Sequence, residues 1–546
     1  MGFKKWLRPL LLGRTGGESL GRTLLKESGF NGAGETGEMG KTESDGVESK
    51  MGDAIGKPAY LAANEPQKQP ERTIHLVPVE KICEAFRDMD DVIMQQHVIQ
   101  QEPLTVFYMN SLVQGANFQR WVFDPLKRFT DEPIENRISS ADKVAPDDLD
   151  AMVAAVLTGH SLLVFPGLGL YLKAQTYEVQ ERAITVSENE STIMGPQDSF
   201  TETMETNMSL IKRRLCSPHL KTRSFMLGTD ARTSVNILYM DNFAKRENVD
   251  RLIRQIEGMK VNGLVSMAKI RQLLESSPFS LFPQYGLSVR PDLTVSALMN
   301  GKLVILTDGD PEATVCPVSF FELFVSQDDS YARYMTVTLL RVLRFGGFFL
   351  TIFLSSLYVS VLTYHPEMLP PPLLTLLSES RTKVPFPPVI EVLIIEVIID
   401  ILREAGTRMP TKIGQTIGIV GGIVIGTAAV QAGLASNILI VIVATSALLS
   451  FLPSNYAMSS TSRVLRYLYI FAAGLMGLYG QFLVFAWMMA HLSNLTSLGT
   501  PFFSPIPRKW SDWTNFIFRM PYQYMTERMW AAKERSAEEQ KPEGRG

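Results

Sequence analysis

Glu391, Glu396, Asp400 and Glu404 fall inside one strongly apolar stretch of a 546-residue chain. Carboxylates in such a stretch are costly unless they face water, an ion or a cationic partner. At about 100° per residue on a helix, Glu396, Asp400, Arg403 and Glu404 lie within roughly 100° of one another, and Glu391 lies nearly opposite. A polar stripe on an apolar rod can line a water-filled ion path, lie at a membrane surface, or pair with a neighbouring helix. Asp400 and Arg403, three residues apart, can also neutralise one another. The residue types point to ion passage or to internal ion pairs, and alone they do not choose.

Glycine then recurs every fourth residue, at Gly414, Gly418, Gly422 and Gly426. This spacing lets another backbone approach one helix face closely, either within a subunit or around the axis of a closed ring of copies. Pro410 marks a helix start or break before this run, and Gln431 and Ser436 supply polar groups near its end.

Enzyme chemistry finds no foothold. The chain has no GxxxxGK[ST], no GxGxxG opening a helix after a strand, no HExxH and no GxSxG. Its six histidines show no metal spacing, and Cys83, Cys216 and Cys316 form no CxxC pair. The cysteines are expected to be buried small apolar residues in a reducing compartment. We expect no enzyme activity, no metal and no cofactor. A net charge of −3 gives no reason to expect nucleic acid.

The elements that must position these residues divide the chain in two. Charge is plentiful before Gln327 and sparse from Phe345 to His491. Residues 1–75, rich in Gly, Ser, Glu and Lys, read as a disordered arm. MGFKKWLRPLLLG is a poor secretory signal and a weak myristoylation site. Strands and helices alternate from residue 76 onward, with helices expected over 81–94, 117–129 and 146–157 and strands over 104–109, 161–165 and 170–175. VFYMN at 106–110 matches ILYMD at 237–241, and VLTGHSLLVF at 156–165 resembles LMNGKLVILT at 298–307. Two related α/β subdomains follow, the repeated cores lying near 76–185 and 216–325. The charged segment 195–215 between them reads as a surface linker helix, or as a hinge whose basic cluster meets acidic partners.

Residues 331–506 read as a helical membrane domain of about four to five spans. Residues 345–363 match one hydrocarbon core. Arg333, Arg341 and Arg344 before them place the globular half in the cytoplasm. Further spans are expected at 413–435, 437–452 and 467–491. Helix 388–403 is either a span or a partial one, so the side of the basic tail, 507–546, stays open. Arg463 and Arg466 suggest a second cytoplasmic turn.

Several ordered motifs resemble the A subunit of GerA-type spore germination receptors. They are Pro385-Phe386-Pro387 with Glu391, Arg403-Glu404-Ala405-Gly406, Arg408, Pro410, Gly414, Ile419-Val420-Gly421 and Ala428 to Gly433, which includes Gln431. Upstream, Gly195-Pro196-Gln197, Phe200, Glu202, Asn207, Arg213-Arg214, Gly301 and Asp308-Gly309 fit the same pattern. Downstream, Ser497 to Pro501 and Ser504-Pro505 fit too. The resemblance implies a two-part cytosolic domain and a multi-pass membrane domain in the spore inner membrane. It implies a transporter-like B subunit and a lipoprotein C subunit as partners, and a homo-oligomer that conducts ions when a nutrient is sensed. It also covers the stage V sporulation protein AF, an accessory membrane protein with no nutrient response of its own. A secondary transporter would need more spans and an internal repeat in the membrane half.

Overall fold

A computed structural model describes residues 76–113, 115–127, 133–138, 140–177, 195–262, 266–326, 328–408, 422, 424, 426–503, 518, 519 and 521. The expectations for the arm, for Pro410, Gly414 and Gly418, and for most of the basic tail lie outside the described residues.

The first domain is a five-stranded sheet of β1 (Val92–Ile99), β2 (Glu102–Met109), β3 (Ala141–Lys143), β4 (Ser161–Phe165) and β5 (Leu170–Ala174), ordered β1-β2-β4-β5-β3. Central β4 is buried throughout, because both sheet faces are covered. Leu162 and Val164 meet Ile82 of helix α1 (Val79–Ala85) and Met152 and Val156 of α2 (Leu149–Leu157). Leu163 and Phe165 meet Phe118, Val122 and Leu126 on the other side. Period-2 alternation into two cores makes the strand read as a continuous apolar run. The helix expected over 81–94 is corrected. It stops at Ala85, Asp88 turns the chain with φ +61°, and VIMQQHVI becomes the half-exposed edge strand β1.

The second domain repeats this plan. β6 (Leu220–Leu227), β7 (Thr233–Met240), β8 (Gly286–Ser288), β9 (Leu303–Thr307) and β10 (Ala313–Cys316) are ordered β6-β7-β9-β10-β8. Within each domain the order is therefore first, second, fourth, fifth, third. The matching sequence segments fall on equivalent places: VFYMN and ILYMD end β2 and β7, while Gly159 and Gly301, both at positive φ, lead into β4 and β9. Among the described residues every strand pairing within the two sheets is antiparallel, with no parallel βαβ crossover.

The linker helix is α3 (Met204–Arg214), and it is not a free surface helix. Met204, Met208 and Ile211, spaced four and three apart, pack on Leu238, Val304 and Leu306 of the second sheet. Lys212 then reaches back to pair with Asp91 beside β1, and Arg214 pairs with Asp198 at 2.7 Å. Complete burial pushes the Lys212 ammonium down to about 7. The carboxylate in contact opposes that shift by favouring the charged form. On the second sheet's other face lie α4 (Arg246–Glu257) and α5 (Met267–Leu274), and α6 (Pro291–Met299) precedes β9.

The helical part follows: α7 (Tyr334–Tyr364), α8 (Pro371–Ser380), α9 (Pro388–Arg408), α10 (Asn437–Leu449) and α11 (Tyr456–Asn494). Two of these, α7 and α11, are long and apolar enough to cross a membrane, and α10 is a shorter apolar helix. The single crossing expected at 467–491 is corrected, because α11 is folded back at Gly477 (φ +60°, ψ −140°). Tyr469 and Met488 touch through OH and Sδ at 3.8 Å. In a straight helix they would stand about 28 Å apart. Thr461 and His491 bond to adjacent residues of one loop, Leu281 and Ser280. Tyr364 donates to the Gly474 and Leu475 carbonyls that the reversal leaves free. Only glycine adopts that backbone cheaply, and the ring of Tyr364 crowds any added Cβ.

After the hairpin, β11 (Thr496–Ser497) and β12 (Thr500–Pro501) form a small clasp against the second sheet domain. Leu498 enters its core, Arg251 donates to the Leu498 carbonyl at 2.6 Å, and Ser497 bridges Gln284 and Val318. Arg519 bonds at the start of α7. The chain therefore leaves the helices at the end where it entered them.

Candidate functional site

Helix α9 carries three of the four acids on a 21-residue rod of mostly Val, Ile and Leu, and the fourth on its last turn. Its start is set by the Pro385–Pro388 turn, because proline suits the first turn of a helix, where its missing N–H costs nothing. Arg381 reaches across that turn to the Phe386 carbonyl, 3.0 Å, and to Glu391, 3.0 Å. Fully buried Glu391 also accepts from the Ser436 N–H at 2.8 Å. Ser436 caps α10 and touches the Tyr358 hydroxyl of α7 at 3.2 Å. Glu391 is thus a staple among α7, α9 and α10.

One turn and a half further on, Glu396 is also fully buried. Ser355 of α7 donates to it at 2.7 Å, and Arg466 of α11 pairs with it at 2.9 Å. The same guanidinium reaches Asp400 at 3.3 Å, and the Tyr467 hydroxyl donates to Asp400 at 2.6 Å. Arg403 lies 3.9 Å from Asp400, bonds Ser450 at 2.9 Å, and stacks over Phe451 at 4.3 Å. Two carboxylates and two guanidiniums make a cluster of zero net charge, the arrangement a low-dielectric interior tolerates. Glu404 stands apart. It pairs with Arg408 at 2.7 Å, one turn on, with both side chains exposed.

The expected i,i+3 neutralisation of Asp400 by Arg403 is present but long, and the shorter partners come from α11. Arg381, Ser355, Tyr467 and above all Arg466 are the members the sequence reading missed. Arg466 reads as the flank of a span because it precedes an apolar run. In the fold it sits about three turns inside the first arm of the hairpin and is completely buried.

The glycines divide. An added Cβ at Gly422 or Gly426 would meet nothing within 4 Å, and Gln431 nearby is exposed. Close backbone approach within the chain occurs instead at Gly347 against Leu452, Gly474 against Val389, and Gly433 against the Lys383 carbonyl. Among the described residues, no group of three or more His, Cys, Asp or Glu is placed to hold a metal ion. Cys83 and Cys216 are exposed rather than buried, whereas Cys316 is buried and its thiol is pushed up to about 12 by desolvation.

A family model described as Bacillus/Clostridium GerA spore germination protein matches residues 80–530. Spore germination protein GerIA of Bacillus cereus is 38% identical over 404 residues, 73% of this chain, and the match spans 61% of that relative's length. The uncharacterized membrane protein YfkQ of Bacillus subtilis is 32% identical over 431 residues, 78% of this chain and 84% of YfkQ. The crystal structure of the N-terminal domain of the A subunit of the Bacillus megaterium spore germinant receptor GerK3 aligns at TM-score 0.34 and 18% identity. It covers 44% of this chain and 94% of that one.

Proposed function

The chain belongs to the GerA family of spore germination proteins, and from that premise we propose that it is the A subunit of a nutrient germinant receptor. In this reading it lies in the spore inner membrane with a transporter-like B subunit and a lipoprotein C subunit. Copies of it assemble into a gated ion channel. The membrane placement is supported by the long apolar helix α7, by the apolar hairpin α11 and by a relative described as a membrane protein. Both ends of the helical part lie beside the sheet domains, which supports an even number of crossings between them.

The observation that carries the proposal is the neutral cluster Glu396–Arg466–Asp400–Arg403, centred on the fully buried Glu396 and Arg466 where α7, α9, α10 and α11 meet. Charge is kept in an apolar helix domain where aliphatic packing would cost less, which marks the place as functional. The resting pairs close the polar stripe, and ion passage along it requires Arg466 to leave its carboxylates. The open faces of Gly422 and Gly426 are the surface on which neighbouring copies would pack.

The test is ion flux through liposomes holding the chain with and without its B and C partners. Flux that needs partners and nutrient, and drops severalfold with Glu396→Ala at unchanged protein level, is the expected result. A tight membrane in every combination overturns the channel and leaves an accessory membrane protein of the same family.

A further inference from the structure

Phe279 is 99% exposed, an extreme among the large apolar side chains of the described residues. It lies in the loop between α5 and β8 of the second sheet domain, within Ser276-Ser277-Pro278-Phe279-Ser280-Leu281-Phe282-Pro283-Gln284, which has no charged residue. Neighbouring Leu281 also points outward, 40% exposed, while Phe282 turns inward to the cluster with Met458, Leu465 and Leu492.

This loop stands at the foot of the α11 hairpin. Ser280 meets His491 at 2.9 Å on the returning arm, and the Leu281 carbonyl accepts from Thr461 at 2.5 Å on the outgoing arm. The His491 ring stacks at 5.7 Å on Trp487, one turn up the helix, and Trp487 is half exposed. Above it the outward surface is apolar, with Phe482 66% exposed. A tryptophan flanking an apolar helix surface marks the depth at which hydrocarbon gives way to headgroups. An uncharged loop bearing an outward phenyl ring is tied by Ser280 to His491, one turn below that depth marker.

We infer that loop 277–281 of the second sheet domain inserts into the headgroup boundary of the bilayer, with Phe279 as its apolar anchor at the level of Trp487. The occupant of this surface is lipid, because the loop is bonded to both arms of the hairpin at its foot, carries no charge and turns Phe279 and Leu281 outward beside the Trp487 level. The inference rests on the reading that the hairpin is embedded in a membrane. The anchor fixes the height of the second sheet domain above the bilayer, in addition to the clasp at 496–501.

The full chain in lipid nanodiscs, with Cys83 and Cys216 replaced by Ser and the buried Cys316 kept, carries one environment-sensitive fluorophore at a time. Labels are placed by Phe279→Cys, by Leu281→Cys (which keeps the phenyl ring), by Phe482→Cys and by Val98→Cys on the first domain's edge strand. Shallow nitroxide lipids are expected to quench the 279, 281 and 482 labels severalfold more than the 98 label, with blue-shifted emission at 279 and 281. If 482 is quenched while both 279 and 281 behave like 98, the anchor is overturned and the embedded hairpin stands. If 482 also behaves like 98, the membrane reading and the anchor fall together.

Discussion

Two buried ion pairs join distant parts of this chain, and they are built differently. Lys212 and Asp91 link the two sheet domains one to one, next to Ser111, with Asp91 still about one-tenth exposed. Arg466 is wholly enclosed and holds two carboxylates from α9, the equally enclosed Glu396 and the partly exposed Asp400, while Arg403 balances the charge. A pair at the rim of an aqueous domain can relax toward water when one partner is lost. Glu396 and Arg466, enclosed by apolar helices, have nowhere to relax. The same chemistry is therefore a local joint in one half of the molecule and a condition for assembly in the other.

Breaking the enclosed cluster should produce the largest effect. Arg466→Met strands the fully buried Glu396, leaves Asp400 to Tyr467 and the more distant Arg403, and is expected to cost about 3–5 kcal/mol, seen as loss of the protein from membranes. Restoring neutrality with Glu396→Gln in the same chain, which leaves Asp400 paired with Arg403, should recover much of that protein. If abundance stays low in the double variant, the cluster is not held by its charge balance.

Next comes the clasp that couples the halves. Leu498→Ala empties a fully packed position in the second sheet domain and is expected to cost about 2–4 kcal/mol. Limited proteolysis should then cut near residues 496–501 before it cuts elsewhere, and equal protection of the variant and the parent would argue against a structural clasp. Lys212→Met should cost less, about 2 kcal/mol, because Asp91 keeps solvent and Ser111 nearby. The paired variant Lys212→Met, Asp91→Leu should restore the melting temperature to within a few degrees. A melting temperature as low as that of Arg466→Met would erase the contrast between the two joints.

At the small end, Glu404→Ala removes an exposed i,i+4 pair and should change stability by no more than about 0.5 kcal/mol. A large drop would reveal a partner for Glu404 outside the single chain. Thiol labelling of the folded protein should proceed at Cys83 and Cys216 and be far slower at Cys316, measured by mass spectrometry of the labelled peptides.

What local pattern can carry, the sequence determined. Four-residue glycine spacing, an acid stripe on an apolar rod, and matched strand segments are all periodicities or short strings, readable because neighbours in a helix or strand are neighbours in the chain. So were the duplicated sheet domains, whose repeated strings fall on equivalent strands. The tertiary structure alone decided what the acids meet. Arg466 lies 66 residues from Asp400, and its approach depends on the reversal at Gly477, one glycine among 39, whose positive φ no local pattern announces. Long-range pairing of charges follows from which helices become neighbours, and that is settled by burial across the whole domain rather than by any one stretch of residues.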